Sequence, residues 1–318
     1  MVKERGGARR MAALILLGLA VGSTGCGLTV AQKEAIGQFS RATAAVGQTT
    51  SDELAKMREG VIQANTSTLI ILGQDRPPPG ETSPRAALIT PLTVERQFTI
   101  QNISRIGYAA RALQSYGELL QGLVEDTQAK ELRGAAEAFV ANLQAMPDVS
   151  LGEKEADAIA GAVYTIGRML VEMKKAEAVK TIVPTAAPHV EKITGLLAVE
   201  FDPNRDGSLA SAYRAAAERL RGESATAFRE AKTVADRAMI LPAWEYGRRA
   251  SLRSEEIHAR SSHAVAGIQK SHKLLVEAVT SDRWTAEDVK AIVTEFDKEL
   301  KAVAKLTTEL LERSKLLQ

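Results

Sequence analysis

Residues 103–124 read ISRIGYAARALQSYGELLQGLV, and this stretch decides the fold class. Ile103, Ile106, Ala110, Leu113, Gly117, Leu120 and Val124 follow one another at alternating steps of three and four residues. That spacing keeps apolar groups on one stripe of an α-helix and is the a/d seam of coiled-coil packing. Tyr116, Leu119 and Leu123 widen the stripe into a core-facing surface. Gly117 lies on the seam, where the missing side chain would let a second helix come close. The reading places this helix from Thr93 to about Val124.

The same period recurs outward in both directions. Upstream, Phe39, Val46, Leu54, Met57, Val61 and Ala64 mark a helix capped by Thr29 and running to about Leu72, with Gly37, Gly47 and Gly60 as weak points where it could break. Its last residues, Leu69-Ile70-Ile71-Leu72, are apolar all round and are expected to be buried or to face a partner. Arg76-Pro77-Pro78-Pro79-Gly80-Glu81-Thr82-Ser83-Pro84 cannot continue a helix, so a proline-rich loop is expected over 75–91. Downstream, a short helix is expected from Ala129 to Met146. Ser150-x-x-Glu153 reads as a capping box, followed by Ile159, Val163, Ile166, Leu170 and Met173. Pro184 and Pro188 should end that helix, with a shorter one from Ala187 to Phe201. A long helix from Leu209 to Leu241 should kink or stop at Pro242. The segment from Ala243 to Val279 is helical but less apolar. Thr285-x-x-Asp288 opens a last helix with a stripe from Val289 to Leu310.

Aromatic residues are only 4% of the chain while hydrophobic residues reach 45%, and no strand alternation occurs. The expected fold is all-α: an elongated antiparallel helical bundle of five to seven helices with coiled-coil-like packing. Residues 26–318 form the bundle, with a sub-boundary near 202–208.

The N-terminus has a different character. Lys3, Arg5, Arg9 and Arg10 precede the apolar run Met11–Gly22, and Ser23-Thr24-Gly25-Cys26 follows. Basic start, short apolar core and small-residue exit form the layout of a secretory signal peptide. The run of 12 residues is short of the roughly 20 that cross a bilayer. Its end resembles the lipobox of bacterial lipoproteins in Thr24, Gly25 and Cys26, with Ser23 standing where Leu is usual. The resemblance covers residues 1–27. It implies a leader over 1–25, lipid acylation of Cys26, and insertion of the acyl chains in a bilayer. Gly27, rather than Asp, after the cysteine implies the outer membrane, with the bundle facing the periplasm. Cys26 is also the only cysteine in the chain, so no intrachain disulfide can form, and a lipid thioether gives a lone thiol in an oxidising compartment a purpose. The leader carries four basic residues and one acidic, so its removal takes the net charge from +2 to −1 and leaves no footprint for nucleic acid.

Candidate sites are sparse. Asp202-x-Asn204-x-Asp206-Gly207-x-Leu209 resembles an EF-hand-type calcium loop in its first eight positions. Position twelve is Tyr213 rather than the bidentate Glu, and a capped polar turn fits the same residues. Glu255-x-x-His258 is half of a di-iron carboxylate motif, without the second half. His258 and His272, fourteen residues apart, share a helix side and could form a pH-sensing pair, or simply a solvated face. Trp244, Tyr246, Arg248, Arg249 and Arg253 have the composition of an interface hot spot, or of a helix junction whose arginines meet Glu245, Glu255 and Glu256. Signature motifs of nucleotide, metalloprotease and serine-hydrolase sites are absent from the sequence. Three function classes fit: a non-enzymatic envelope scaffold or adaptor that engages a protein partner or itself, a membrane-active or toxin-like helical protein, and a ligand-binding lipoprotein or unrecognised enzyme.

Overall fold

The computed structural model describes residues 27–73, 94–125, 127–146, 152–168 and 172–281. Cys26, the leader, the proline-rich loop, Ser150 and the helix expected after Thr285 lie outside the described residues. Among those described there are seven α-helices and no strand: α1 (Val30–Ile71), α2 (Ile100–Val124), α3 (Ala129–Gln144), α4 (Glu153–Arg168), α5 (Glu172–Glu200), α6 (Leu209–Glu230) and α7 (Val234–Thr280). The chain is an all-α helical bundle.

Thr29 starts α1 with a reciprocal capping box. Its hydroxyl accepts from Gln32 N, and the Gln32 side chain accepts from Thr29 N at 2.8 Å. The helix then runs unbroken for 42 residues, about 63 Å at 1.5 Å per residue. Two of its glycines sit where another helix presses in, Gly47 against α2 and Gly60 against the Tyr213 ring. A Cβ on Gly47 would lie 2.5 Å from Ala110 O, and one on Gly117 of α2 would lie 2.4 Å from Ser40 O. These reciprocal contacts run α1 and α2 antiparallel with backbones nearly touching. α2 is the central helix. The seam residues Ile106, Ala110, Leu113 and Leu120 are buried, and so are Ala109, Ala112, Tyr116, Leu119 and Leu123 from its other faces.

α2 begins later than its apolar period suggests. A 3-10 turn, Arg96–Phe98, precedes it, and Thr99 caps it. The turn is tied to α1: Arg58 Nε donates to Phe98 O, Asn65 Nδ2 donates to Val94 O, and the Phe98 ring is fully buried. Arg96 has φ +49°, the only positive value at a non-glycine among the described residues.

Two expectations about proline are corrected. Pro184 and Pro188 lie inside α5 rather than ending a helix. They are four residues apart on its less buried face, where the carbonyls left without donors can meet water, while Ile182, Val183, Ala186 and Val190 hold the opposite face in the core. Pro242 likewise lies inside α7. The chain reverses instead at Ala231-Lys232-Thr233, where Thr233 and Asp236 form a capping box. Of the two alternatives for the Leu69–Leu72 end of α1, burial in the core does not hold for all of it: Ile70 is 54% and Leu72 44% exposed.

The partners of α1 fix the directions of the remaining helices. Phe39 meets His272, Glu53 meets Arg253, and Gly60 meets Tyr213 and Tyr246. α7 therefore runs antiparallel to α1, and α6 runs back beside α7 as an antiparallel hairpin, with Gly247 close to Ala217 and Arg221.

Candidate functional site

The bundle has two distinct ends. At one end α1 begins at Val30, four residues after Cys26. At the other lie the end of α1 and the turn of the α6–α7 hairpin. There Val234 is 83%, Met239 81% and Leu241 42% exposed, beside the exposed Phe228. Arg237 stacks its guanidinium 5.7 Å from the Phe228 ring centre, and Arg248 lies 6.0 Å over Trp244. Apolar side chains rimmed by arginine are the composition of a contact surface rather than of ordinary solvated helix.

The aromatic and arginine cluster after Pro242 is split between this end and the core. Tyr246 Oη donates to Gly60 O at 3.4 Å. Arg253 donates twice to Glu53, at 2.8 and 3.1 Å, rather than meeting its own helix's glutamates. Burial pushes the hydroxyls of Tyr213 and Tyr246 well above the ordinary phenol range. Arg248, Arg249 and the half-buried Trp244 remain towards solvent. This junction clamps α7 to α1 and orients the hairpin beyond it.

The four histidines are separated. His272 is buried beside Phe39 and Phe139-stacked Tyr116, and its Nε2 shares a 2.8 Å hydrogen bond with Tyr116 Oη. Burial lowers its pKa from 6.5 to about 4. His258 is half-buried, with Nδ1–H donating to Phe201 O at 3.2 Å. It does not pair with His272, which belongs to a different layer of the core about 21 Å along α7 by helical rise. His263 and Glu255 are exposed. His189 is buried, with Nε2 3.3 Å from Glu155 Oε2 across the α4–α5 contact. That carboxylate also accepts from Gly152 N, which with His189 holds its pKa below the usual range. The partners of His272 and His189, Tyr116 and Glu155, come from other helices, so no local pattern announces them.

The Asp202-to-Asp206 stretch is a helix connection in which Asp202, Asn204 and Ser208 make hydrogen bonds within the fold. Asp202 Oδ1 accepts from Asn204 N, Asn204 Oδ1 accepts from Arg214, and Ser208 caps α6 while donating to Asp202 O. His258 stands 3.8 Å from the Asp202 carboxylate. Asp206 is exposed, and Tyr213, at the twelfth position, is buried against Gly60. Among the described residues no three His, Cys, Asp or Glu side chains are grouped to hold a metal ion, and no helix is long and apolar enough to cross a membrane.

No protein-family model, curated protein or solved structure matches this chain.

Proposed function

We propose that this protein is a lipid-anchored envelope lipoprotein whose helical bundle is a non-enzymatic scaffold, tethered through acylated Cys26 and presenting its far end to a protein partner. One observation carries the reading: the start of α1 at Val30, which follows Cys26 by four residues in the sequence, and the exposed apolar surface lie at opposite ends of α1, about 63 Å apart by helical rise. Because the capping box rigidifies α1 from Val30, only three residues separate the tether from the rod. A multiply acylated cysteine gives near-permanent attachment, at about 0.8 kcal/mol per buried methylene. Phe228, Val234, Met239 and Leu241 then face away from the bilayer, where a partner can cover them. The buried titratable groups support a scaffold, since Arg253–Glu53 and Tyr116–His272 join helices rather than line a cleft.

The test pairs fractionation with site-specific photocrosslinking in intact cells. Cys26→Ser should move the protein out of the membrane fraction. A crosslinker at Met239 should capture one dominant envelope protein, and one at Gln128, near the tether, should not. Met239→Asp should abolish capture while the Tm holds. Identical capture from both positions, or membrane association that survives Cys26→Ser, overturns the reading. The exposed Ile70 and Leu72 at the same end favour a membrane-active protein as the second reading. Dye release from liposomes at micromolar protein separates the two, because a scaffold causes none.

A further inference from the structure

A recess of about 140 Å3 opens where the 3-10 turn meets α1 and α6. Its walls are mostly apolar, with Phe98 from the turn, Val61 from α1 and Ala216 from α6, and Asn65 and Gln97 add polar groups. At its mouth stand two arginines from different elements, Arg96 and Arg219. Nearby carboxylates are committed elsewhere, Glu95 to Arg58 and Glu218 to Arg214. Neither Arg96 nor Arg219 has an ion-pair or hydrogen-bond partner among the described residues. Two unneutralised guanidiniums side by side repel each other. Desolvation and then the charge of Arg219 lower the pKa of Arg96 accordingly.

The backbone is arranged at a cost to hold this geometry. Arg96 occupies the left-handed region at φ +49°, where a side chain with a Cβ is strained. The clamps on either side over-determine it: Asn65 on Val94 O, and Arg58 on Phe98 O. Strain held in this way at the rim of a recess is a mark of function rather than of packing. A Gly would relieve it, and the sequence has Arg.

We propose that this recess binds a small organic carboxylate, its apolar body between Phe98, Val61 and Ala216 and its carboxylate shared by Arg96 and Arg219. A cavity of about 150 Å3 accepts a benzene ring, so the body is no larger than that. Arginine fits a carboxylate through paired N–H donors, and a shared ligand accounts for two converging guanidiniums that have no partner among the described residues. The site is independent of the tether and of the hairpin end, so its failure leaves the proposed function untouched.

The experiment uses the full-length chain in lipid nanodiscs, titrated calorimetrically with benzoate, with benzyl alcohol as the neutral control. Benzoate binds and benzyl alcohol binds at least about tenfold more weakly, as expected for a charge-assisted contact. Arg219→Gln weakens benzoate about tenfold or more without lowering the Tm. Arg96→Gly weakens it similarly while raising the Tm, because strain is released as the receptor is lost. Equal binding of benzoate and benzyl alcohol, or full affinity in the Arg96→Gly, Arg219→Gln double variant, overturns the proposal. Inorganic phosphate competing as well as benzoate overturns the carboxylate assignment. So does tighter binding of a peptide ending in a free-carboxylate Phe, which reassigns the recess to a chain terminus.

Discussion

The waist of the bundle and the turn of the α6–α7 hairpin are both helix pairs with capped ends, yet they are built to opposite specifications. At the waist, α1 and α2 meet through Gly47 and Gly117, and Tyr116, Phe39, Phe139 and His272 fill the space beside them with no solvent access to speak of. At the hairpin turn, Val234 and Met239 are more than four-fifths exposed, and a Cβ added to Gly222 of α6 would touch nothing within 4 Å. Glycine at the waist is a requirement of backbone contact; at the hairpin it is a local weakness in a helix. Apolar side chains at the waist hold the fold, whereas at the hairpin they contribute little to it and are free for another task.

The largest expected effect tests the waist directly. Gly117→Ala places a Cβ against the backbone of Ser40 and Ala44, neither of which can rotate away. It should destabilise the protein by about 3 kcal/mol, at the upper end of overpacking costs, as read by urea denaturation. A loss below about 1 kcal/mol would mean that α1 and α2 slide apart easily, and the contrast would weaken.

The second test is pH. His272 is neutral in the fold down to about pH 4, while the unfolded imidazole takes its proton near 6.5. The unfolded state therefore binds more protons between these values, and stability falls as pH drops from 6.5 to 4. The shift corresponds to about 3 kcal/mol over that window, with no contribution above it. Tyr116, the titratable group in contact, stays neutral throughout because burial pushes its pKa far upward. His272→Gln should flatten this part of the pH–stability curve; an unchanged slope would place its origin elsewhere.

At the hairpin the signs reverse. Gly222→Ala should stabilise by about 1 kcal/mol, because alanine is the better helix former where space is open. The same substitution type thus has opposite outcomes in the two regions, and thermal denaturation of the two variants side by side is the sharpest check. Met239→Ser should change stability by less than about 0.5 kcal/mol, as for other exposed positions. A larger loss would show that Met239 packs against the fold, and it would remove the reason to regard the hairpin end as a contact surface.

The comparison also separates what was legible in sequence. The seam from Ile103 to Val124 and the Thr29 cap are local patterns: they foretold both ends of α1 and the end of α2 to within a residue or so, while α2 starts at Ile100 rather than Thr93 because the 3-10 turn tied to α1 precedes it. The hairpin reversal was signalled by Thr233-x-x-Asp236 but masked by Pro242, the louder breaker. Proline weighs against a helix only through one donor and one steric contact, and an exposed helix face absorbs both. The recess could not be read at all. Arg96 and Arg219 are 123 positions apart in the sequence, and Arg96 owes its left-handed backbone to clamps from α1.

By itself the sequence determined the helical class and the Thr29 cap, because helix period and a capping box are set by residues within a few positions of each other. The tertiary structure alone decided which glycine meets which backbone, that Arg253 reaches Glu53 and His272 reaches Tyr116, and that two arginines share one recess. Those pairings depend on how helices of similar apolar pattern choose partners. That choice follows from shape complementarity over whole helix faces, a property no short window of sequence contains.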